Sequence, residues 1–221
     1  MPASSFIMAC KICNVRRPRR FCPGVGGDIC AVCCGTGREE TVSCPLDCEY
    51  LREARTREKP PEIDEKQIPN LDIKVPDSFL HANEPLLAFL MRAIAETALT
   101  TQGAIDYDVR DMLDAMVRTS RTRESGLYYE TRPSNLVAVS MLARIEKAIE
   151  EFRSAATERA GLTTIRDADL LGVLAFLQRI EYQIDNGRKR GRAFIDFLRN
   201  QVELIEPPEG SGSSAPSLIL P

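Results

Sequence analysis

All eight cysteines of the 221-residue chain lie in its first 48 residues. The pairs Cys10–Cys13 and Cys30–Cys33 have the C-x2-C spacing, in which a tight turn offers two thiolates and nearby backbone N–H groups to one metal ion. Cys44 and Cys48 are spaced i, i+4, which places both sulfur atoms on one face of a helix start. Because zinc prefers four such ligands in a tetrahedron, the pattern predicts two four-thiolate zinc sites per chain. The eight predicted ligands are Cys10, Cys13, Cys22, Cys30, Cys33, Cys34, Cys44 and Cys48.

Two assignments of these cysteines to the two ions agree with the spacing. Adjacent side chains of an extended chain point in opposite directions, so we expect Cys33 and Cys34 to bind different ions. In the preferred assignment one ion is bound by Cys10, Cys13, Cys30 and Cys33, and the other ion by the remaining four cysteines. In the second assignment, Cys30 and Cys34 exchange places.

Other uses of cysteine fit the pattern less well. The N-terminus lacks the basic and apolar regions of a secretory signal, so we place the protein in the reducing cytoplasm, where disulfides and hence a disulfide cluster are rare. Buried free cysteines would not require C-x2-C spacing, and one redox-active pair would not require six companions. A segment this short also has too little apolar content to fold alone, so metal coordination is expected to supply its folding energy.

Over residues 10–48 the alternation of cysteine pairs, ending in a C-x3-C at a helix start, resembles the cross-brace and treble-clef zinc fingers, such as the MYND and HIT types. The resemblance implies a small zinc-finger fold and a role in binding proteins or assembling complexes. Those families usually include a histidine ligand, whereas this segment offers only cysteines and has a wide gap between Cys22 and Cys30. The whole chain is also similar to bacterial proteins with a cysteine-rich head and a helical body. That similarity does not indicate which activity, if any, the chain has.

Five stretches between residues 77 and 205 have the apolar spacing of amphipathic helices. Pro85 fits the first turn of the first helix, and Asp106 is expected to cap the second. The aspartates at the start of that second helix are expected to lie on a solvated face, where they complement the helix dipole. These aspartates are Asp106, Asp108, Asp111 and Asp114.

The composition divides the chain into four segments. Residues 1–56 are the predicted Cys-rich zinc-binding domain, and residues 57–76, which contain four prolines, a Pro-rich linker. Residues 77–205 are the predicted helical bundle, and the Gly/Ser/Pro-rich residues 206–221 a disordered tail. The predicted fold class is therefore mainly α: a small zinc-finger head on an all-α bundle of about five helices.

Two basic segments, VRRPRR and NGRKRGR, are candidates for binding an anion or a partner. In one interpretation the first segment offsets thiolate charge and the second forms internal salt bridges, for example with Glu130. In the other, both bind nucleic-acid phosphates, although the formal net charge of −3 argues against binding driven by whole-molecule charge. The candidate anion- or partner-binding residues are Arg16, Arg17, Arg19, Arg20, Tyr128, Tyr129, Glu130, Arg188, Lys189, Arg190 and Arg192.

The sequence brings together no nucleophile, base and orienting group, and a closed four-thiolate site leaves no position for substrate, so no enzyme is expected. No apolar run approaches the roughly 18 residues that span a bilayer, so no membrane partner is expected. We predict a zinc-binding, non-enzymatic adaptor or regulatory protein that binds other proteins in the cytoplasm. The alternatives are a nucleic-acid-binding protein that uses residues 16–20 and 188–192, and an enzyme with a site in the bundle around Tyr128 and Glu130.

Overall fold

The computed structural model describes residues 9–59, 62–127, 129–160 and 165–205, with the backbone alone for residues 159, 160 and 205. Tyr128 and the predicted disordered tail lie outside the described residues. Within them, the expectation of a mainly helical chain is confirmed. The head contains a two-stranded antiparallel sheet, in which β1 (Arg20–Cys22) pairs with β2 (Gly27–Ile29).

Eight α-helices are present in the described residues, two in the head and six in the body that follows it. They are α1 (Ala31–Gly37), α2 (Glu49–Arg55), α3 (Asp77–Ala82), α4 (Glu84–Thr100), α5 (Asp106–Glu124), α6 (Leu136–Ala160), α7 (Asp167–Ile184) and α8 (Ala193–Ile205). The five predicted helices correspond to α4 through α8. Helix α4 begins after Asn83 with Pro85 in its first turn, as expected, because a first-turn residue needs no intrahelical N–H bond. None of the described helices is both long enough and apolar enough to span a membrane.

One apolar core joins the helices of the body. Helix α5 packs along α7, and α4 packs against α6 and α8. Each of these five helices contributes side chains that are almost completely buried, and burying one large apolar side chain contributes about 1.5–3 kcal/mol. Helix α3 closes on α7 at Gly172, where a Cβ atom would overlap the ring of Phe79. The body therefore owes its packing to the apolar stripes visible in the sequence.

Residues 69–73 of the predicted linker are bonded to this body. Arg179 of α7 donates hydrogen bonds to backbone carbonyl oxygens of the segment, and Arg121 of α5 forms an ion pair with Asp72 at 2.8 Å. Asn70, in the left-handed conformation with φ of 55°, accepts a hydrogen bond from Arg121 Nη2 at 2.7 Å. The segment therefore lies against α5 and α7.

Glu39 bonds the head to the loop before α8. Its side chain is 1% exposed, and its carboxylate accepts hydrogen bonds from Arg55 Nη2 at 2.7 Å and Asn186 Nδ2 at 3.0 Å. The backbone N–H of Arg192 donates to the same carboxylate at 3.1 Å, and that of Arg190 donates to the Glu39 carbonyl oxygen at 2.7 Å. A buried carboxylate is tolerated only when it is paired and hydrogen-bonded in this way.

The other contacts with the body come from the C-terminal half of the head and from Glu58, just after it. Leu46 is buried in the core of the body. Arg199 of α8 forms an ion pair with Asp47 at 2.8 Å, and Arg188 forms one with Glu58 at 2.5 Å. The expected internal salt bridges of the NGRKRGR segment are therefore found at Arg188, with Glu58 as the partner.

Asp106 does not cap its own helix. It is 2% exposed, and its carboxylate accepts hydrogen bonds from the backbone N–H groups of Phe194 and Ile195, each at 3.0 Å, at the start of α8. Helix α5 begins instead after Ile105, whose N–H donates to Asp108 Oδ2 at 2.9 Å. The cap assigned to Asp106 is wrong, and so is the solvated face for Asp106 and Asp108, because a helix distant in sequence covers this end of α5.

We predict that Asp106 makes the stability of the body depend on pH. Burial raises the pKa of the Asp106 carboxyl to about 6, although the N–H groups of Ile195 and Phe194 oppose the shift. A raised pKa means that folding favours the protonated acid, so this contribution to stability is complete below about pH 4 and is lost as the pH rises through 6. Between pH 4 and pH 7 the native chain should therefore lose about 2–3 kcal/mol of unfolding free energy that Asp106→Asn, which has no carboxyl at this position, does not lose.

The measurement is urea unfolding followed by helical circular dichroism, and the quantity of interest is the difference between the two proteins. Metal release at low pH is common to both and cancels in this difference. Asp77→Asn, at an exposed position in the first turn of α3, serves as the control. Its unfolding free energy should change with pH in the same way as that of the native chain. If the unfolding free energy of Asp106→Asn had the same pH dependence as the native chain, Asp106 would not be the source of that dependence.

We predict that Glu39→Ala lowers the free energy of unfolding by about 3–5 kcal/mol, because it leaves the partly buried guanidinium of Arg55 without one of its two carboxylates. The neighbouring Glu40 makes no side-chain bond to any described residue, so Glu40→Ala should change stability by less than about 0.5 kcal/mol. Urea unfolding of the metal-loaded chain measures both values. Equal effects of the two substitutions would contradict the role of Glu39.

Candidate metal centre

The first group of cysteines is formed by two short turns that meet beside the sheet. Cys10 and Cys13 lie in a turn closed by the N–H of Asn14, which donates to the Cys10 carbonyl oxygen at 2.8 Å. Cys30 is the N-terminal cap of α1, and Cys33 lies in its first turn. The four sulfur atoms all lie within 4.8 Å of one another, a proximity that no other group of three or more cysteines reaches in the described chain.

Backbone N–H groups point at the sulfur atoms of this group. The N–H of Cys30 donates to Cys10 Sγ at 3.2 Å, and the N–H of Cys33 donates to Cys30 Sγ at 3.4 Å. Such bonds favour the thiolate form, which is the form that binds a metal ion. The strand β2 followed at once by α1 is what places these N–H groups over the sulfur atoms.

The thiols of this group perturb one another. Burial raises the pKa of the Cys10 thiol, but the backbone N–H groups of Cys13, Cys30 and Ile12 outweigh burial and bring its pKa to about 6. The Cys30 sulfur, followed by burial, raises the pKa of Cys33 to about 12. Four thiolates this close repel one another, and a divalent cation removes that repulsion. The donor set therefore fits a metal ion that accepts four sulfur ligands in a tetrahedron.

The remaining four cysteines line one small cavity of about 20 Å³. They come from the end of β1, from α1 and from the segment before α2, and they are Cys22, Cys34, Cys44 and Cys48. No three of these sulfur atoms lie within 4.8 Å of one another. The structure therefore separates Cys33 from Cys34 and groups Cys30 with Cys33, as in the preferred assignment, while a second metal ion stays a prediction.

Two arginines of the VRRPRR segment place positive charge close to the cysteine groups. Hydrogen bonding to the Cys30 sulfur, with the charge of the neighbouring thiols, raises the pKa of Arg16. Arg20 Nη1 donates to Cys34 Sγ at 3.7 Å, and the Arg20 guanidinium lies 4.0 Å from the centroid of the Tyr50 ring. Each group of cysteines therefore has one arginine placed to offset thiolate charge.

The other two arginines of that segment, Arg17 and Arg19, are exposed and form no side-chain bond with any described residue. Arg20 also borders an open groove of about 390 Å³, which Arg38 and Arg57 line as well. The groove is not purely basic, because Glu53 and Glu58 line it too, so two carboxylates oppose any long anion that would follow it.

The remaining candidate residues do not assemble into one site. The side chains of Lys189 and Arg190 are exposed, whereas burial lowers the pKa of the half-buried Arg192. Glu130, expected to pair with the NGRKRGR segment, instead forms an ion pair with Arg123 at 3.6 Å, because that segment lies against the head. Tyr129 is exposed and does not pack in the core.

Sequence reasoning missed Glu39 as the residue that joins this centre to the body. The sequence shows only a glutamate between two cysteines of different pairs, in a segment with many charged residues. Its partners, Asn186 and Arg192, are about 150 positions away, and no local pattern connects them to it.

Comparisons with models of known protein families, with curated proteins and with solved structures find no match to this chain. The fold and the site therefore define its class: a mainly helical protein whose N-terminal cysteine group can bind a metal ion.

We predict that Cys13→Ser lowers the bound metal by about one ion per chain, because three sulfur atoms and a hydroxyl bind zinc more weakly than four thiolates. Elemental analysis of the purified protein measures the loss. Thr36→Ala, an exposed change in α1 that touches no sulfur, should keep the full metal content. Circular dichroism should show both variants with a helical body, and full metal content in Cys13→Ser would contradict the ligand set.

Proposed function

We propose that the chain is a zinc-binding, non-enzymatic adaptor that binds other proteins in the cytoplasm. The observation that carries the proposal is the group formed by Cys10, Cys13, Cys30 and Cys33, with all four sulfur atoms within 4.8 Å of one another. In a reducing compartment such a group stays available to zinc, which it would hold with four thiolates. No coordination position would remain for water or substrate, so the metal would be structural.

The proposal includes a second zinc ion in the cavity lined by Cys22, Cys34, Cys44 and Cys48. A tetrahedral zinc ion with Zn–S bonds of about 2.3 Å would draw these sulfur atoms to about 3.8 Å from one another. Arg20 supports this site, because its hydrogen bond to Cys34 Sγ offsets part of the added negative charge. The resemblance to cross-brace zinc fingers favours the same arrangement.

The N-terminal half of the head supports a protein partner. Every described hydrogen bond and ion pair that joins residues 9–58 to the body involves a residue between positions 38 and 58, so residues 9–37 make none of these bonds. Large apolar side chains are nevertheless exposed there, namely Ile12, Val15, Phe21 and Val32. Ile12 and Val32 each lie between the two cysteines of a C-x2-C turn, so metal binding would fix their positions. Rigid exposed apolar side chains are typical of protein-binding surfaces.

Nucleic-acid binding is the second candidate function. It is supported by the groove that Arg20, Arg38 and Arg57 line, with the aromatic ring of Tyr50 in it. The two glutamates in the same groove weaken this candidate, and so do the four negative charges that two zinc ions with eight thiolates would add to the formal charge of −3.

We predict that the full-length, zinc-loaded chain, tagged and recovered from its native host, retains protein partners after nuclease treatment. Phe21→Asp should reduce their recovery at least about tenfold, because burying a charge in an apolar interface costs several kcal/mol. Leu136→Asp, at an exposed position on α6, is the matched control and should retain them. Both variants should keep the zinc content of the native chain. Partners lost on nuclease treatment, with binding that weakens steeply as salt rises, would favour the nucleic-acid candidate.

A further inference from the structure

A second candidate site lies in the helical body and shares no residue with the cysteine-rich head. It is a cavity of about 250 Å³ lined by residues of α5, α6, α7 and the segment before α6. Its apolar lining comes from Met116, Ile149 and Leu170, one from each helix. The other seven lining residues are polar or charged, so the cavity combines a small apolar area with several groups that can orient a ligand.

One hydroxyl group in this cavity is not used by the protein. Ser120 is 7% exposed, lines the cavity, and forms no hydrogen bond with any residue that the structure describes. Its neighbour Thr119, also in the lining, accepts a hydrogen bond from the N–H of Thr131 at 2.9 Å. Because the Ser120 hydroxyl is not used by any described group, it is available to a group that enters the cavity.

Both cations at the cavity form ion pairs, although Arg153 Nε is buried without a hydrogen-bond partner among the described residues. Arg123 forms an ion pair with Glu130 at 3.6 Å, and Arg153 forms one with Asp167 at 2.8 Å. Their positive charge is therefore largely matched by carboxylates of the protein itself.

Two further carboxylates in the lining have no such match. Glu146 and Glu150 are exposed residues and form no ion pair with any described residue. Burial, followed by the charge of Glu130, raises the pKa of the Glu146 carboxyl, although Arg123 and Arg132 oppose the shift. The cavity therefore has negative charge to spare beside an unused hydroxyl group.

We propose that this cavity binds an alkylammonium group. The ammonium nitrogen has three N–H donors, which suit the carboxylates of Glu146 and Glu150 and the hydroxyl of Ser120, while the alkyl stem lies on the apolar lining. A hard metal ion fits less well, because such ions take six or more oxygen ligands and gain nothing from an apolar lining. The same chemistry is offered by a free small amine and by a lysine side chain of a protein. The inference does not depend on the metal centre.

The test is a titration of the ¹⁵N-labelled, metal-loaded full chain, followed by NMR at constant ionic strength. The probes are n-butylammonium, the neutral 1-butanol, the anionic butyrate, and Nα-acetyl-lysine N-methylamide. Butylammonium should shift the amide signals near Ser120 and Glu146 in a saturable way, and the neutral and anionic probes should bind at least about tenfold more weakly. The lysine derivative identifies the source: affinity equal to that of butylammonium indicates a lysine of a partner protein, and weaker affinity indicates a free amine.

Two substitutions make the assignment specific. Glu146→Gln should weaken butylammonium binding at least about tenfold, and Ser120→Ala should weaken it by a smaller factor. The control is Glu151→Gln on the same helix, since Glu151 lies outside the cavity lining and pairs with Lys147 at 3.7 Å. No saturable binding of butylammonium, equal binding of 1-butanol, or equal effects of Glu146→Gln and Glu151→Gln would overturn the proposal.

Discussion

Repulsion among crowded thiolates is the constraint on which the architecture of the head depends. One short turn and one strand–helix junction bring four sulfur atoms within 4.8 Å of one another, and backbone N–H groups favour their charged form. Among its described residues, the head has a sheet of two short strands and few buried large apolar side chains, so its own core supplies little stability. A divalent ion bound by all four thiolates would replace this repulsion with attraction. The free energy of metal binding would then be the main source of folding energy for the head.

The head and the helical body are joined by hydrogen bonds at the start of α8 and by shared apolar packing. Glu39, which lies between Cys34 and Cys44 in the sequence, binds the loop that leads into α8, and Leu46 extends the core of the body into the head. Asp106 of α5 then caps α8 from the other side. Fixing the cysteine loops by metal binding would therefore also fix the first turn of α8, whereas no described hydrogen bond or ion pair joins residues 9–37 to the body.

Local patterns predicted much of this arrangement. Apolar spacing identified all five long helices, and C-x2-C spacing identified the first group of cysteines, because both patterns act over a few residues. Glu39 and Asp106 were missed or misassigned because their partners are 88 to 153 positions away. An aspartate at a helix start is normally a local cap, and only the packed position of α8 converts Asp106 into the cap of another helix. The cavity at Ser120 likewise arises from three helices that no single segment reveals.

We propose above all that sulfur atoms alone bind zinc in the head of this chain. X-ray absorption spectroscopy at the zinc edge, on the full-length protein purified without added metal, tests it most directly. The account predicts two zinc ions per chain, each with a shell of four sulfur atoms at about 2.3 Å. A chain without zinc, or a shell that contains nitrogen or oxygen ligands, would contradict it.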